Sequence, residues 1–269
     1  MKSVLVPTDQ SEIMPSVMTS AALLAQRCEA VVEGVALRPV HVEIVAPDPI
    51  VAVTFPPADW TDADFVGKMR GSFEGHFKSH GDVRSRWRAG PSIDDAELGS
   101  LARVFDIVVV GRPASSGRGP RMTTLESVLF ESGQSVLVAP PEAPTALGEN
   151  ILISWNCSTE QARATASAMP LLRKAKSVTI MTIEGLIVAG PSGQMAQDWL
   201  ATNGVKAREV SLAAGGRKPG EVLLDEATKM GADLIIKGAY TQSRLRQMIF
   251  GGATSHLLAH STLPMLMAR

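Results

Sequence analysis

Cysteine is almost missing from this chain: the 269 residues hold two, Cys28 and Cys157. Their spacing fits neither a metal-thiolate site nor a redox pair, so both read as small core or near-surface residues. Net charge is also lacking, at -1 with 20% charged residues. That balance excludes a disordered polyelectrolyte and a broad nucleic-acid-binding surface. No window offers the roughly 18 uninterrupted apolar residues of a membrane span. The opening MKSVLVPTDQ enters a strand-like run without the apolar core of a signal peptide. A cytoplasmic protein without a membrane partner is the expectation. Catalytic signatures are equally thin. The chain has no G-x-S-x-G elbow, and the pairs His76/His80 and His256/His260 share a helix face but lack the third ligand a zinc site needs. Neither catalytic nor metal-ligating residues are assigned.

What the sequence does have is a repeat. KSVLVPTDQSEIMPSVMTSAALLAQRCEAVVEGVAL and NILISWNCSTEQARATASAMPLLRKAKSVTIMTI share one order: apolar strand, polar turn, amphipathic helix, apolar strand. FDIVVVGRP (105–113) matches ADLIIKGAY (232–240), and QSVLVAP (134–140) matches LPMLMAR (263–269). The chain is two copies of one fold.

Short, continuous apolar runs separated by helical periodicity are what parallel strands buried on both faces produce. Strands are predicted at 3–8, 31–37, 82–88, 106–110 and 135–139, and again at 150–155, 177–183, 207–212, 233–238 and 264–268. A helix over 59–80 carries Phe65, Met69, Phe73 and Phe77 as one apolar stripe. The fold class is α/β, two tandem doubly wound, parallel five-stranded sheets. The Pro-rich segment 140–149 joins domains placed at 1–143 and 148–269. Segment 39–60 has no counterpart of that length in the second copy and reads as either a lid or a cover over a sheet edge.

The strand-1 motif PTDQS (7–11), the five-strand repeat and the loop after the fourth strand of the second copy resemble the universal stress protein family, in its tandem form. The resemblance covers essentially the whole chain and implies a Rossmann-like fold of the adenine nucleotide alpha hydrolase type. It implies a stress-response regulator that binds ATP or another adenine nucleotide, with magnesium if ATP, and at most slow, incidental ATP hydrolysis. Nucleotide-binding members carry Gly, two residues, Gly, nine residues, Gly, then Ser or Thr in that loop. Here Gly238, Thr241, Gly251 and Gly252 take those places, so two of four fit. Thr241 disfavours the positive φ that glycine permits. Gly252 lacks a hydroxyl, yet its N–H and those of Ala253 and Thr254 open a helix, a place for negative charge. Ser243, Arg244 and Arg246 stand nearby as phosphate partners or as solvated surface.

By the same resemblance, an aspartate ending the first strand holds the adenosine end. The first copy has Asp9 there and the second Asn156. Both also fit a plain helix-capping role. In the first copy, Met122 and Thr123 stand where the paired glycines would be, and the loop holds Ser115, Ser116, Gly117, Arg118 and Gly119 instead. Thr123-Thr124-Leu125-Glu126 matches a capping box that would bring the Glu126 carboxylate to the helix start and leave this half poor in phosphate. Neither copy has the complete motif. The expected role is nucleotide binding in the second copy, or else a nucleotide-free protein-interaction module for an unidentified partner. Either way the copies are expected to dock as an intrachain pseudo-dimer through their last strands, with a further homodimer left open.

Overall fold

The computed structural model describes residues 1–39, 59–113, 119–239 and 253–269. The first half runs β1 (Ser3–Thr8), α1 (Met14–Cys28), β2 (Val31–Ala36), α2 (Asp62–Lys78), β3 (Arg84–Trp87), α3 (Asp95–Leu101), β4 (Ile107–Gly111), α4 (Met122–Glu131) and β5 (Ser135–Ala139). The second runs β6 (Asn150–Trp155), α5 (Thr159–Ser167), α6 (Met169–Leu172), β7 (Ser177–Ile183), α7 (Gly193–Thr202), β8 (Arg208–Leu212), α8 (Pro219–Lys229), β9 (Leu234–Gly238), α9 (Ala253–His260) and β10 (Met265–Ala268). All ten predicted strands are present within two residues at either end.

The strands form a single ten-stranded sheet in the order β3-β2-β1-β4-β5-β10-β9-β6-β7-β8. Each half has the order 3-2-1-4-5 of a doubly wound sheet. Every pairing is parallel except the seam, where Met265, Leu266 and Met267 lie antiparallel to Val138, Leu137 and Val136. The expected docking through the last strands is thus continuous main-chain pairing, which removes two exposed sheet edges. Cross-half bonds reinforce it: Arg112 Nη1 donates to the Ser261 carbonyl at 2.7 Å, and Lys174 Nζ donates to the Arg27 carbonyl at 2.8 Å.

Because β1, β4, β6 and β9 are central, their side chains divide between two apolar layers. One holds Val4, Val6, Val109, Ile153 and Ile236, and the other Leu5, Val108, Val110, Leu152 and Ile235. Phe65, Met69, Phe73 and Phe77 are the buried residues of α2, the stripe the four-residue spacing predicts. Phe73 lies so close over Gly34 that a β-carbon there would meet its ring at 2.6 Å, which explains a glycine inside β2. The outermost strand β3 carries Arg84 and Arg86, charges that discourage edge-to-edge association. Arg86 and Arg88 both pair with Glu33, a carboxylate only 3% exposed, at 2.5 and 2.6 Å. Most of the segment 39–60, and the positions Ser115, Ser116, Gly117, Arg118, Thr241, Ser243, Arg244, Arg246, Gly251 and Gly252, lie outside the described residues.

Candidate functional site

In a doubly wound sheet the ligand crevice opens where the strand order reverses, above the C-terminal ends of the first and fourth strands. This chain has two such points, β1 with β4 and β6 with β9, and β4, β5, β10 and β9 separate β1 from β6. Asp9 therefore belongs to one crevice, and Asn156, Lys237 and Gly238 to the other.

In the first crevice the glycine that ends β4 is tightly packed. A β-carbon on Gly111 would overlap Pro120 Cγ and lie 2.7 Å from Ile13 Cδ1. The Asp9 Oδ1 accepts the Ser11 N–H at 2.8 Å, which makes a local turn and not the expected cap: Ile13 is the N-cap of α1 and gives no side-chain bond. The capping box expected at Thr123–Glu126 is also absent. Helix α4 starts two residues earlier than that pattern requires, with Arg121 as its N-cap and no acidic residue in the first turn. The carboxylate comes from α3 instead. Asp95 accepts from Thr123 Oγ1 and Thr124 Oγ1 at 2.7 Å each and from Arg121 Nη2 at 2.9 Å. Burial pushes the Asp95 carboxyl up, but the bonds from Arg121, Thr124 and Thr123 outweigh it and hold it below the usual aspartate range. The threonines engage this acid because an adjacent helix supplies it more readily than Glu126, which is too deep in α4 to turn back.

The second crevice is polar at its base. Asn156 is 4% exposed, and its Oδ1 accepts from Ser158 N at 3.3 Å and Ser158 Oγ at 2.8 Å. Ser158, not Asn156, caps α5, accepting the Gln161 N–H at 3.1 Å. The segment after β7 closes over this turn: Val188 N–H donates to the Asn156 carbonyl at 3.1 Å, and Trp155 Nε1 donates to the Pro191 carbonyl at 2.9 Å. Gly190 packs so closely on the Cys157 carbonyl that a β-carbon would overlap it, while Cys157 itself adopts a left-handed φ of 67°. Burial raises the Cys157 and Cys28 thiols above their ordinary values, so neither is an activated nucleophile.

Gly238 is close-packed for another reason. A β-carbon there would overlap the Gln161 backbone nitrogen, and the Gly238 N–H donates to Gln161 Oε1 at 2.8 Å. This glycine lets α5 seat against β9, the helix–strand packing role of a glycine in such folds.

Beside it stands a residue that sequence reading passed over. Lys237 is 3% exposed on β9, and its side chain has no hydrogen bond or ion pair among the described residues. Burial pulls its pKa down to about 8, with Glu160 pulling weakly the other way. The signal was present in the sequence, as a lysine interrupting LIIKG where the first copy has VVVG. Ala253 and Thr254 open α9, with Thr254 buried. The paired histidines lie ring to ring, stacked at 4.5 Å between centroids for His76/His80 and tilted at 4.4 Å for His256/His260. Among the described residues no group of three His, Cys, Asp or Glu converges to hold a metal, and no helix is long and apolar enough to cross a membrane.

Residues 189–269 match the family model described as the Universal stress protein family. Over 51 residues the chain is 35% identical to "Stress response protein NhaX" of Bacillus subtilis (strain 168), a stretch covering 19% of this chain and 31% of that protein. The structure matches a universal stress protein from Archaeoglobus fulgidus DSM 4304 with a TM-score of 0.70 at 13% identity, covering 99% of this chain and 96% of that one. It also matches the cytoplasmic domain of a prokaryotic cation chloride cotransporter, with a TM-score of 0.53 at 16% identity, covering 99% and 95% of the two chains. At these identities the structural likeness concerns the fold alone. The chain is thus similar to universal stress proteins in sequence over its C-terminal segment and in fold over its whole length.

Proposed function

We propose that the chain is a stress-response regulator whose second half takes an adenine nucleotide, led by its phosphates. The observation that carries this reading is a buried lysine at the end of β9 that the first half lacks. At the end of β4 the first has the apolar Val110 where β9 has a lysine, and its Asp95 carboxylate is already held by Arg121 and Thr124. The second keeps a buried lysine with no ion pair among the described residues, beside Gly238. A buried cation left without an anion is costly, and binding one relieves that cost. Lys237 supplies the charge, and the N–H groups of Ala253 and Thr254 at the start of α9 add a favourable dipole. Gly251 and Gly252 precede that helix in sequence and complete the proposed site with Thr241. Magnesium accompanies ATP in this reading.

The adenosine end is held weakly. Asn156 brings no charge, and its Oδ1 already serves Ser158, so the ribose finds no carboxylate in this half. Triphosphates should therefore bind with little preference for the base, and AMP much more weakly than ATP. Calorimetric titration with ATP, GTP and AMP in magnesium tests this ordering: ATP and GTP within about tenfold of each other, AMP beyond that.

A second reading has its own support. The burial of Asn156 under Val188–Pro191 and the Gln161 bond to Gly238 suit a nucleotide-free interaction module. A saturable ATP response discriminates against it, and its absence favours it.

A further inference from the structure

The second half has another opening, on the outer face between α5 and α7. In the first half α1 packs directly on α2, whereas α5 and α7 are separated by a cleft of about 550 Å³, within the usual size for a small-molecule site. Ala162 and Ala166, one turn apart on α5, form one wall without bulk. Met195 and Trp199, one turn apart on α7, form the other, and Trp155 closes the base. Met195 is 60% exposed and Trp199 40%, large apolar side chains that a folded surface rarely places together without use.

One charge sits among these walls. Arg163 lies on the lining, exposed, with no hydrogen bond or ion pair among the described residues, and the Trp199 indole N–H has no partner there either. Two unused donors beside an apolar cleft complement an anionic head on an apolar body.

We propose that this cleft binds a small amphipathic carboxylate, its alkyl or aryl body between Ala162/Ala166 and Met195/Trp199 and its carboxylate on Arg163. The site is separate from the phosphate-led site. Trp155 forms the base and is followed directly by Asn156, so a bound molecule would press on the turn at the base of the second crevice.

The experiment is a fluorescence titration of the full chain with octanoate and with octanamide, which keeps the body and removes the charge. Octanoate should shift tryptophan emission saturably and bind about tenfold more tightly than octanamide, the value of one charge-assisted hydrogen bond. R163Q should bring octanoate down to the affinity of the amide. A166F, at an exposed helical position, should fill the cleft and abolish both responses while the circular dichroism spectrum stays unchanged. Equal binding of acid and amide, or octanoate binding untouched by A166F, overturns the proposal. So does a sedimentation shift from dimer to monomer in A166F with no octanoate response, which would make the cleft an interface between copies of the chain.

Discussion

Lys237 gives the sharpest residue-scale test, because its burial has a pH signature. With a folded pKa of about 8 against about 10.4 unfolded, the unfolded chain holds more protons between those values. Stability contributed by this group therefore rises as pH climbs through that window and is least below it, where both states are charged. K237M should abolish that rise and, without anions, raise the melting temperature at pH 7. Melting curves of both proteins at pH 7, 8.5 and 10 check it, and parallel profiles would contradict it. Asp95 has the same sign in a more acidic window. Its folded pKa is depressed by Arg121, Thr124 and Thr123 against burial, so its contribution is present above the unfolded aspartate value and lost as pH falls through the lower folded one. D95N should cost about 1–2 kcal/mol at pH 7 and flatten the acid limb of the stability profile.

At the scale of elements, glycines at the ends of β4 and β9 carry unequal loads. Gly238 lies against the backbone of α5, which cannot rotate away, whereas Gly111 faces the side-chain ends of Ile13 and Pro120. G238A should destabilise by about 2–3 kcal/mol and G111A by less, measured by urea unfolding. A larger loss for G111A would show that helix seating is not what the β9 glycine serves. These elements also mark how far the sequence could be read. Strands such as ILIS and VTIMTI, buried on both faces, announce themselves by composition, and the α2 stripe by period. The partners of Asp95 do not: Thr123 and Thr124 are 28 and 29 residues away, and a local capping pattern suggested Glu126 instead. Gly238 was legible as a constrained glycine, but not that Gln161, 77 residues earlier, imposes the constraint. Asp9 and Asn156 were legible as a matched pair. Their local turns with Ser11 and Ser158 come from hydrogen bonds two residues on, which capping statistics blur.

For the whole molecule, the antiparallel seam of β5 and β10 makes two repeats one sheet. Leu137 and Leu266 pair at its centre, both fully buried. L266D should break the cooperative unit, turning a single calorimetric unfolding transition into two or costing more than about 3 kcal/mol. Separately produced halves, cut at the proposed boundaries 1–143 and 148–269, should each expose a bare edge strand and self-associate. The central claim of the account is that the second half of this sheet takes an anion at Lys237. Calorimetric titration of the nucleotide-stripped protein with ATP and magnesium, beside K237M, tests that claim most directly. The account predicts saturable binding near one ATP per chain for the native protein and at least tenfold weaker binding for K237M. Equal affinity in the two proteins, or no heat from the native protein at two temperatures, would contradict it.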